Sequence, residues 1–274
     1  MKVLKVNGVE IPALGFGTWR LRGRLCQDMV QFAIDLGYRH IDTAAIYGNE
    51  EEVGHGIADS SVDRGEIFLT TKVGPNSLKP DALKRSTEDS VRRLGTGYVD
   101  LLLIHWPNID VPLADSLNAM RELQADGTVR HIGVSNFPVV LLREAIEEIG
   151  APIIANQVEY HPYLSQNHVL DYCRRAGIML TAYCPVAEGR VNKDPDLLRI
   201  ADKYERSAAQ VTLRWLLDQD CVAAIPMTSS PEHCRDNLKI FDFDLAPEDR
   251  AAIAAMATGT RLIDMHTGVD WDPD

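Results

Sequence analysis

A chain of 274 residues, 45% hydrophobic and 25% charged, has enough apolar mass for a large buried core, either as one α/β barrel or as two smaller domains. Its formal net charge of -12, with no local cluster of Lys and Arg, repels a phosphodiester backbone and excludes nucleic acid as a partner. Five scattered cysteines without a CxxC pair, no apolar run long enough to span a bilayer and no signal-like N-terminus predict a cytoplasmic protein with reduced thiols, no membrane partner and no metal site.

The chain opens with two short alternating runs, 3–6 and 9–11, around Asn7-Gly8, and this pattern predicts a β-hairpin ahead of the main fold. Eight apolar runs then follow at 14–18, 40–44, 67–73, 99–105, 129–135, 153–159, 178–184 and 222–227, each read as a strand. Between and after them, segments 26–36, 51–58, 80–94, 113–125, 139–149, 167–176, 196–217 and 231–240 carry apolar residues at helical spacing. Gly37, Gly95, Gly127, Gly150 and Gly177 stand where helices would stop in a left-handed cap. Strict alternation of strand and helix implies parallel strands with right-handed crossovers. Runs such as Leu101-Leu102-Leu103-Ile104 do not alternate, which implies burial on both faces. Eight units of this kind predict a closed (β/α)8 TIM barrel over an open doubly wound sheet. A further helix at 247–257 and a tail, 258–274, are expected outside the barrel, with the tail folding over its mouth. No linker or composition shift interrupts 1–274, so a single domain is expected.

Active sites of such barrels form at the C-terminal ends of the strands. Asp42, Lys72 and His105 end apolar runs there, and Tyr47 lies in the loop after the second strand. Singly, each has a plain structural explanation: an Asp caps a helix, a Lys snorkels, a His satisfies a local hydrogen bond. All four on one rim form a functional candidate, because ionisable groups desolvated in a cleft tend to carry chemistry. The group describes acid catalysis by a phenol. A tyrosine with its unperturbed pKa of about 10 is a poor donor at neutral pH, and the Lys72 ammonium is expected to lower it. Asp42 is the strand-end acid that keeps Lys72 charged, and His105 can donate to a carbonyl oxygen beside Tyr47.

These residues sit within a longer ordered series. It comprises Gly15-Phe16-Gly17-Thr18-Trp19, then Gly37 through Ala44 with Tyr47-Gly48-Asn49-Glu50, Leu94-Gly95 through Asp100-Leu101, His105-Trp106-Pro107, Gly133-Val134-Ser135-Asn136-Phe137 and Asn156-Gln157-Val158-Glu159. With these motifs the chain resembles the aldo-keto reductase family over essentially its whole length. Within the family it is similar to bacterial reductases of 2,5-diketo-D-gluconate, partly through its Trp271-Asp272-Pro273 ending. The resemblance implies a monomeric NAD(P)H-dependent oxidoreductase reducing small aldehydes, ketones or keto-sugars, with Asp42, Tyr47, Lys72 and His105 as the catalytic tetrad and Tyr47 as proton donor. The alternative is a cofactor-binding redox sensor or non-catalytic subunit of the same fold. The resemblance also implies that Ser135, Asn136 and Gln157 hold the carboxamide and that Tyr183 stacks on the nicotinamide. Gly17, Thr18, Trp19, Asp42, Cys184, Pro185 and Val186 would be further cofactor contacts. The substrate pocket would be Trp19, Tyr47, His105, Trp106 and Trp271.

No GxGxxG opens a helix; in this family the adenosine end sits near the last strand and helix, with the pattern Ile-Pro-Lys-Ser, an Arg six residues after the Lys, and Glu-Asn. Here the segment reads Ile225-Pro226-Met227-Thr228, with His233 in the Arg place and Asp236-Asn237 after it. Met227 and His233 replace two cations that would pair with a 2′-phosphate, leaving Thr228, His233 and Arg235 as partners. NADP(H) is therefore expected, with NAD(H) also accepted. Glu188, in the loop that closes over the pyrophosphate, is expected to pair with Arg190 or a ribose hydroxyl. That short loop, 186–194, predicts an accessible cleft. His161-Pro162 is expected to pack beside the cofactor, and Asp270, Asp272 and Asp274 to form a solvated end.

Overall fold

A computed structural model describes residues 2–265 and 268–272, so Pro273 and Asp274 of the acidic ending lie outside the described residues. The predicted hairpin is present as β1 (Val3–Val6) and β2 (Val9–Pro12), antiparallel. Asn7 and Gly8 turn it with φ of 48° and 83°, the left-handed pair that a two-residue hairpin requires. Leu4, Val6 and Ile11 from this hairpin enter the core.

Eight parallel strands pair in chain order: β3 (Phe16–Gly17), β4 (His40–Asp42), β5 (Phe68–Val73), β6 (Val99–Ile104), β7 (Val129–Ser135), β8 (Ile153–Glu159), β9 (Met179–Tyr183) and β10 (Val222–Ala224). The sheet closes where Leu14 bridges Ala224 and where the Gly15 and Gly17 amides donate to the carbonyls of Ala224 and Pro226 at 2.9 and 3.1 Å. Glycine is needed at the seam, because a Cβ on Gly17 would lie 2.7 Å from the Ile225 carbonyl oxygen. The predicted runs 14–18, 40–44 and 222–227 shorten to two or three residues because their ends leave the ladder as mouth loops. Every residue of β5, β6 and β8 is buried, as the non-alternating runs predict.

The helices are α1 (Gly23–Leu36), α2 (Glu50–Ala58), α3 (Pro80–Leu94), α4 (Leu113–Ala125), α5 (Val139–Arg143), α6 (Asn167–Ala176), α7 (Pro195–Lys203), α8 (Ala208–Asp218), α9 (Pro231–Leu238) and α10 (Pro247–Ala254). α5 continues into a π-helical turn, Glu144–Glu148. The five glycines expected as left-handed caps all have positive φ. One sequence expectation is corrected: the single helix at 196–217 is two helices. Glu205, at φ 53°, turns the chain after α7, and Ser207 with Gln210 forms a reciprocal capping box that starts α8 afresh. Among the described residues no helix is long and apolar enough to cross a membrane.

Candidate active site

β4 ends at Asp42, and a tight turn, Ala45–Tyr47, follows it. Asn49 holds this turn in place. It accepts from Thr43 Oγ1 at 2.9 Å and donates to the carbonyls of Thr18 and Leu21 at 2.9 and 3.1 Å, tying the Tyr47 loop to the loop after β3. β5 brings in Lys72, whose Nζ donates to Asp42 Oδ1 at 2.6 Å, the Thr43 carbonyl at 2.8 Å and the Tyr47 hydroxyl at 3.4 Å. These partners satisfy all three ammonium protons, as an ammonium that is 0% exposed requires. Asp42 accepts a further bond, at 2.8 Å, from Gln157 Nε2. His105, at the end of β6, faces the Tyr47 ring edge-on with centroids 5.6 Å apart. The four residues singled out from sequence thus meet on one rim.

Their protonation differs from the sequence expectation in one respect. Burial alone would draw the Lys72 ammonium down, but Asp42 and then Tyr47 outweigh it and hold Lys72 above its ordinary value, so it stays charged. For Tyr47, burial pushes the phenol up by more than Lys72 pulls it down. The expected acidification of Tyr47 is therefore corrected: a cation already neutralised by Asp42 does not repay the cost of desolvating a phenolate. Tyr47 keeps its proton at neutral pH. Burial and then Lys72 hold His105 well below the usual histidine range, so it is a neutral imidazole. The site presents a protonated phenol backed by an ammonium and flanked by a neutral imidazole. Negative charge arising on the phenol oxygen would find the ammonium already in place.

A cleft of about 820 Å³ extends from this rim to the last strand and α9. Of the residues named from sequence, Gly17, Thr18, Trp19, Asp42, Tyr47, His105, Trp106, Asn136, Gln157, Tyr183, Cys184, Pro185, Val186, Ile225, Pro226, Met227, Thr228, His233, Asp236 and Asn237 line it. Ser135 lies behind the wall, donating to the Gln157 carbonyl at 2.8 Å. Trp271 packs edge-on against Trp106 with centroids 6.0 Å apart. Asn136, held at φ 63°, donates to the His105 carbonyl at 2.9 Å and accepts from the Tyr183 hydroxyl at 2.8 Å, fixing the Tyr183 ring. Gln157 commits its Nε2 to Asp42 and keeps Oε1 as an acceptor for an amide N–H, while Asn136 and Ser135 are amide and hydroxyl neighbours. An amide N–H on a flat ring against Tyr183 fits the acceptor that Gln157 Oε1 leaves free.

Sequence reasoning missed Arg20, Ile46, Gly189, Asn192, Ser207, Ala209, Ser229, Glu232, Ile263 and Met265, which also line the cleft. Ser229 and Glu232 lie within the named 225–237 segment and were within reach of a helix-phase argument. Ile263 and Met265 come from the tail, whose path has no local signature.

Three further expectations are corrected. Glu188 pairs with Arg20 at 2.8 Å instead of Arg190, because Ala187, Glu188 and Gly189 coil in the left-handed region at φ 48°, 53° and 83° and turn the carboxylate across the cleft. Arg20 is in turn stacked on Trp19, 4.1 Å from the ring centroid. The 186–194 loop is thus a coiled bridge across the cleft. Arg235 lies over the Phe32 ring at 4.7 Å and is not part of the lining. His161 and Pro162 border a separate pocket of about 290 Å³, where the buried His161 is bonded to Glu159 at 2.8 Å just beyond the end of β8.

Known proteins are similar to this chain in sequence and fold. The aldo/keto reductase family pattern matches residues 13–258. The methylglyoxal reductase DkgB of Escherichia coli O157:H7 is 41% identical over 268 residues, covering 96% of this chain and 100% of the relative. The glyoxal reductase of Bacillus subtilis (strain 168) is 42% identical over 257 residues, covering 93% and 92%. The crystal structure of a proposed 2,5-diketo-D-gluconic acid reductase B superposes with a TM-score of 0.96 at 44% identity, covering 100% of this chain and 98% of that one. The family match over the barrel, the reductase relatives and the assembled polar rim agree, and the chain belongs to the aldo/keto reductase family, oxidoreductases that reduce carbonyl groups with a nicotinamide cofactor.

Proposed function

We propose that this chain, acting as a single-domain cytoplasmic monomer, reduces small 2-oxo-aldehydes and related carbonyls, with Tyr47 giving the proton to the carbonyl oxygen. The observation that carries this reading is the Lys72 ammonium, placed between Asp42 Oδ1 at 2.6 Å and the Tyr47 hydroxyl at 3.4 Å. A bound nicotinamide cofactor would supply the hydride. Tyr47 transfers its proton as the oxygen gains charge, and Lys72 stabilises the phenolate left behind. His105, neutral, donates a hydrogen bond that orients the same oxygen. Asn136 and Gln157 would hold the carboxamide, braced from behind by Ser135 in place of the direct contact expected of it, and Tyr183 the ring face. Trp19, Ile46 and Trp106 give apolar walls suited to a small substrate. The relatives named for methylglyoxal and glyoxal point the same way.

Consumption of NADPH with methylglyoxal, a diketone and a keto-sugar tests the reading. Turnover is expected with the first, and cofactor binding without turnover of any carbonyl would favour the sensor alternative.

For the cofactor, we propose that NADP(H) binds but that NAD(H) competes well. Met227, Thr228, Ser229, Glu232, His233, Asp236 and Asn237 line the adenosine end, and none of them is a Lys or Arg. Glu232 opposes a 2′-phosphate, Asp236 is offset by Lys239 at 3.0 Å, and no Lys or Arg among these lining residues faces the phosphate. The ratio of kcat/KM for NADPH to that for NADH is expected to stay below about a thousandfold, and Met227→Lys with His233→Arg to raise it by about ten- to a hundredfold. A wild-type ratio above a thousandfold would overturn this.

A further inference from the structure

The tail reaches the active cleft with two of its residues, Ile263 and Met265, and neither belongs to a helix or strand. Something must hold that segment in register. The candidate is the carboxylate of Glu159, the last residue of β8 and 0% exposed. It accepts from the Leu262 amide at 2.7 Å, from the Ile263 amide at 2.8 Å and from His161 Nε2 at 2.8 Å. No lysine or arginine pairs with it among the described residues, so two tail amides and one imidazole account for the satisfaction of a fully buried acid. On either side of this clamp the tail is tied by weaker means. The Thr258 and Thr260 amides donate to the Tyr163 carbonyl at 3.1 and 3.0 Å. Arg261 stacks on Trp271 at 3.7 Å, and Asp272 accepts from the Val139 amide at 2.9 Å.

We infer that Glu159 is a positioning residue for substrate recognition: it clamps the tail amides of Leu262 and Ile263 so that Ile263 and Met265 form one wall of the substrate cleft. Glu159 does not line that cleft, so it acts through the tail and not on the reacting atoms. His161 fixes one carboxylate oxygen and lets both oxygens face the tail. The inference rests on the reductase reading above. Loosening the clamp is expected to weaken capture of the carbonyl substrate while leaving the Asp42, Tyr47, Lys72 and His105 chemistry and the cofactor end intact.

Glu159→Gln replaces one acceptor by an amide N–H that faces a backbone N–H. The expected result, measured with methylglyoxal and NADPH, is a KM for the carbonyl raised by about tenfold, with kcat within about twofold and cofactor Kd unchanged. Amide hydrogen exchange of residues 258–265 should speed up while that of β4 to β6 does not. Leu262→Pro removes one donor from the tail side, together with the Leu262 side chain that packs on the core, and leaves the β8 carboxylate unaltered; the same split is expected. In the Leu262→Pro background, Glu159→Gln should raise KM by less than it does alone, because the two substitutions open one clamp. If Glu159→Gln does not fold, Leu262→Pro alone decides. Unchanged KM in Leu262→Pro, additive effects of the two substitutions, or equal losses in kcat and kcat/KM would overturn the inference. Absence of turnover in the wild type would instead overturn the reductase reading.

Discussion

Tyr47→Phe is expected to slow carbonyl reduction by about 10²- to 10⁴-fold while leaving NADPH affinity unchanged. The substitution keeps the ring, and with it the edge-on packing against His105 at 5.6 Å, and removes only the hydroxyl. The Lys72 ammonium then keeps its bonds to Asp42 and the Thr43 carbonyl and loses the longest of its three, the 3.4 Å contact. Stability should fall by about 1–3 kcal/mol, the cost of one unpartnered buried donor. What disappears is the proton source, because neutral His105 has no surplus proton near pH 7. Single-turnover kinetics with a tight-binding aldehyde, beside a fluorescence titration of NADPH, separates the two quantities. A variant within tenfold of wild type would show that another group supplies the proton.

Lys72→Met is expected to damage both rate and stability, and so differs from Tyr47→Phe. The thioether fills the volume of the lysine stem, but it leaves the Asp42 carboxylate buried at 1% exposure with Gln157 as its remaining side-chain donor. Removing one partner of a buried ion pair costs about 3–5 kcal/mol, because the surviving charge is uncompensated. The phenol also loses the cation that stabilises its conjugate base, so reduction should slow by at least about a hundredfold even where the protein remains folded. Thermal or urea unfolding of the apoprotein checks the first effect and single-turnover kinetics the second. Wild-type stability together with a wild-type rate would mean that Lys72 is merely a filled cavity.

The barrel was legible because burial on both faces leaves a strong mark: 99–105 and 153–159 contain apolar residues without alternation, and the glycines after the helices fix where each ends. Boundaries failed where short-range chemistry overrides period. The 196–217 stretch keeps its helical spacing straight through Glu205, and only the left-handed turn and the Ser207–Gln210 box divide it. The polar rim was legible because Asp42, Lys72 and His105 interrupt apolar strands at the same depth. The sign of the Tyr47 shift was not, since it depends on how much water the pocket excludes, which residue types do not state. The ion pair of Glu188 with Arg20 and the clamp of Glu159 on Leu262 and Ile263 join segments 168 and 103 or more positions apart. No periodicity within either segment reports such a contact.

The pH dependence of the single-turnover rate of aldehyde reduction tests the central claim most directly. Reduction needs Tyr47 protonated, and burial holds its pKa above the ordinary tyrosine value of about 10, so the rate should stay level through the neutral range and fall only at strongly alkaline pH. It should also show no step near the ordinary histidine value of about 6.5, because His105 is neutral there. A fall centred between about pH 6 and 8, where neither group titrates, would contradict a phenol as the proton donor.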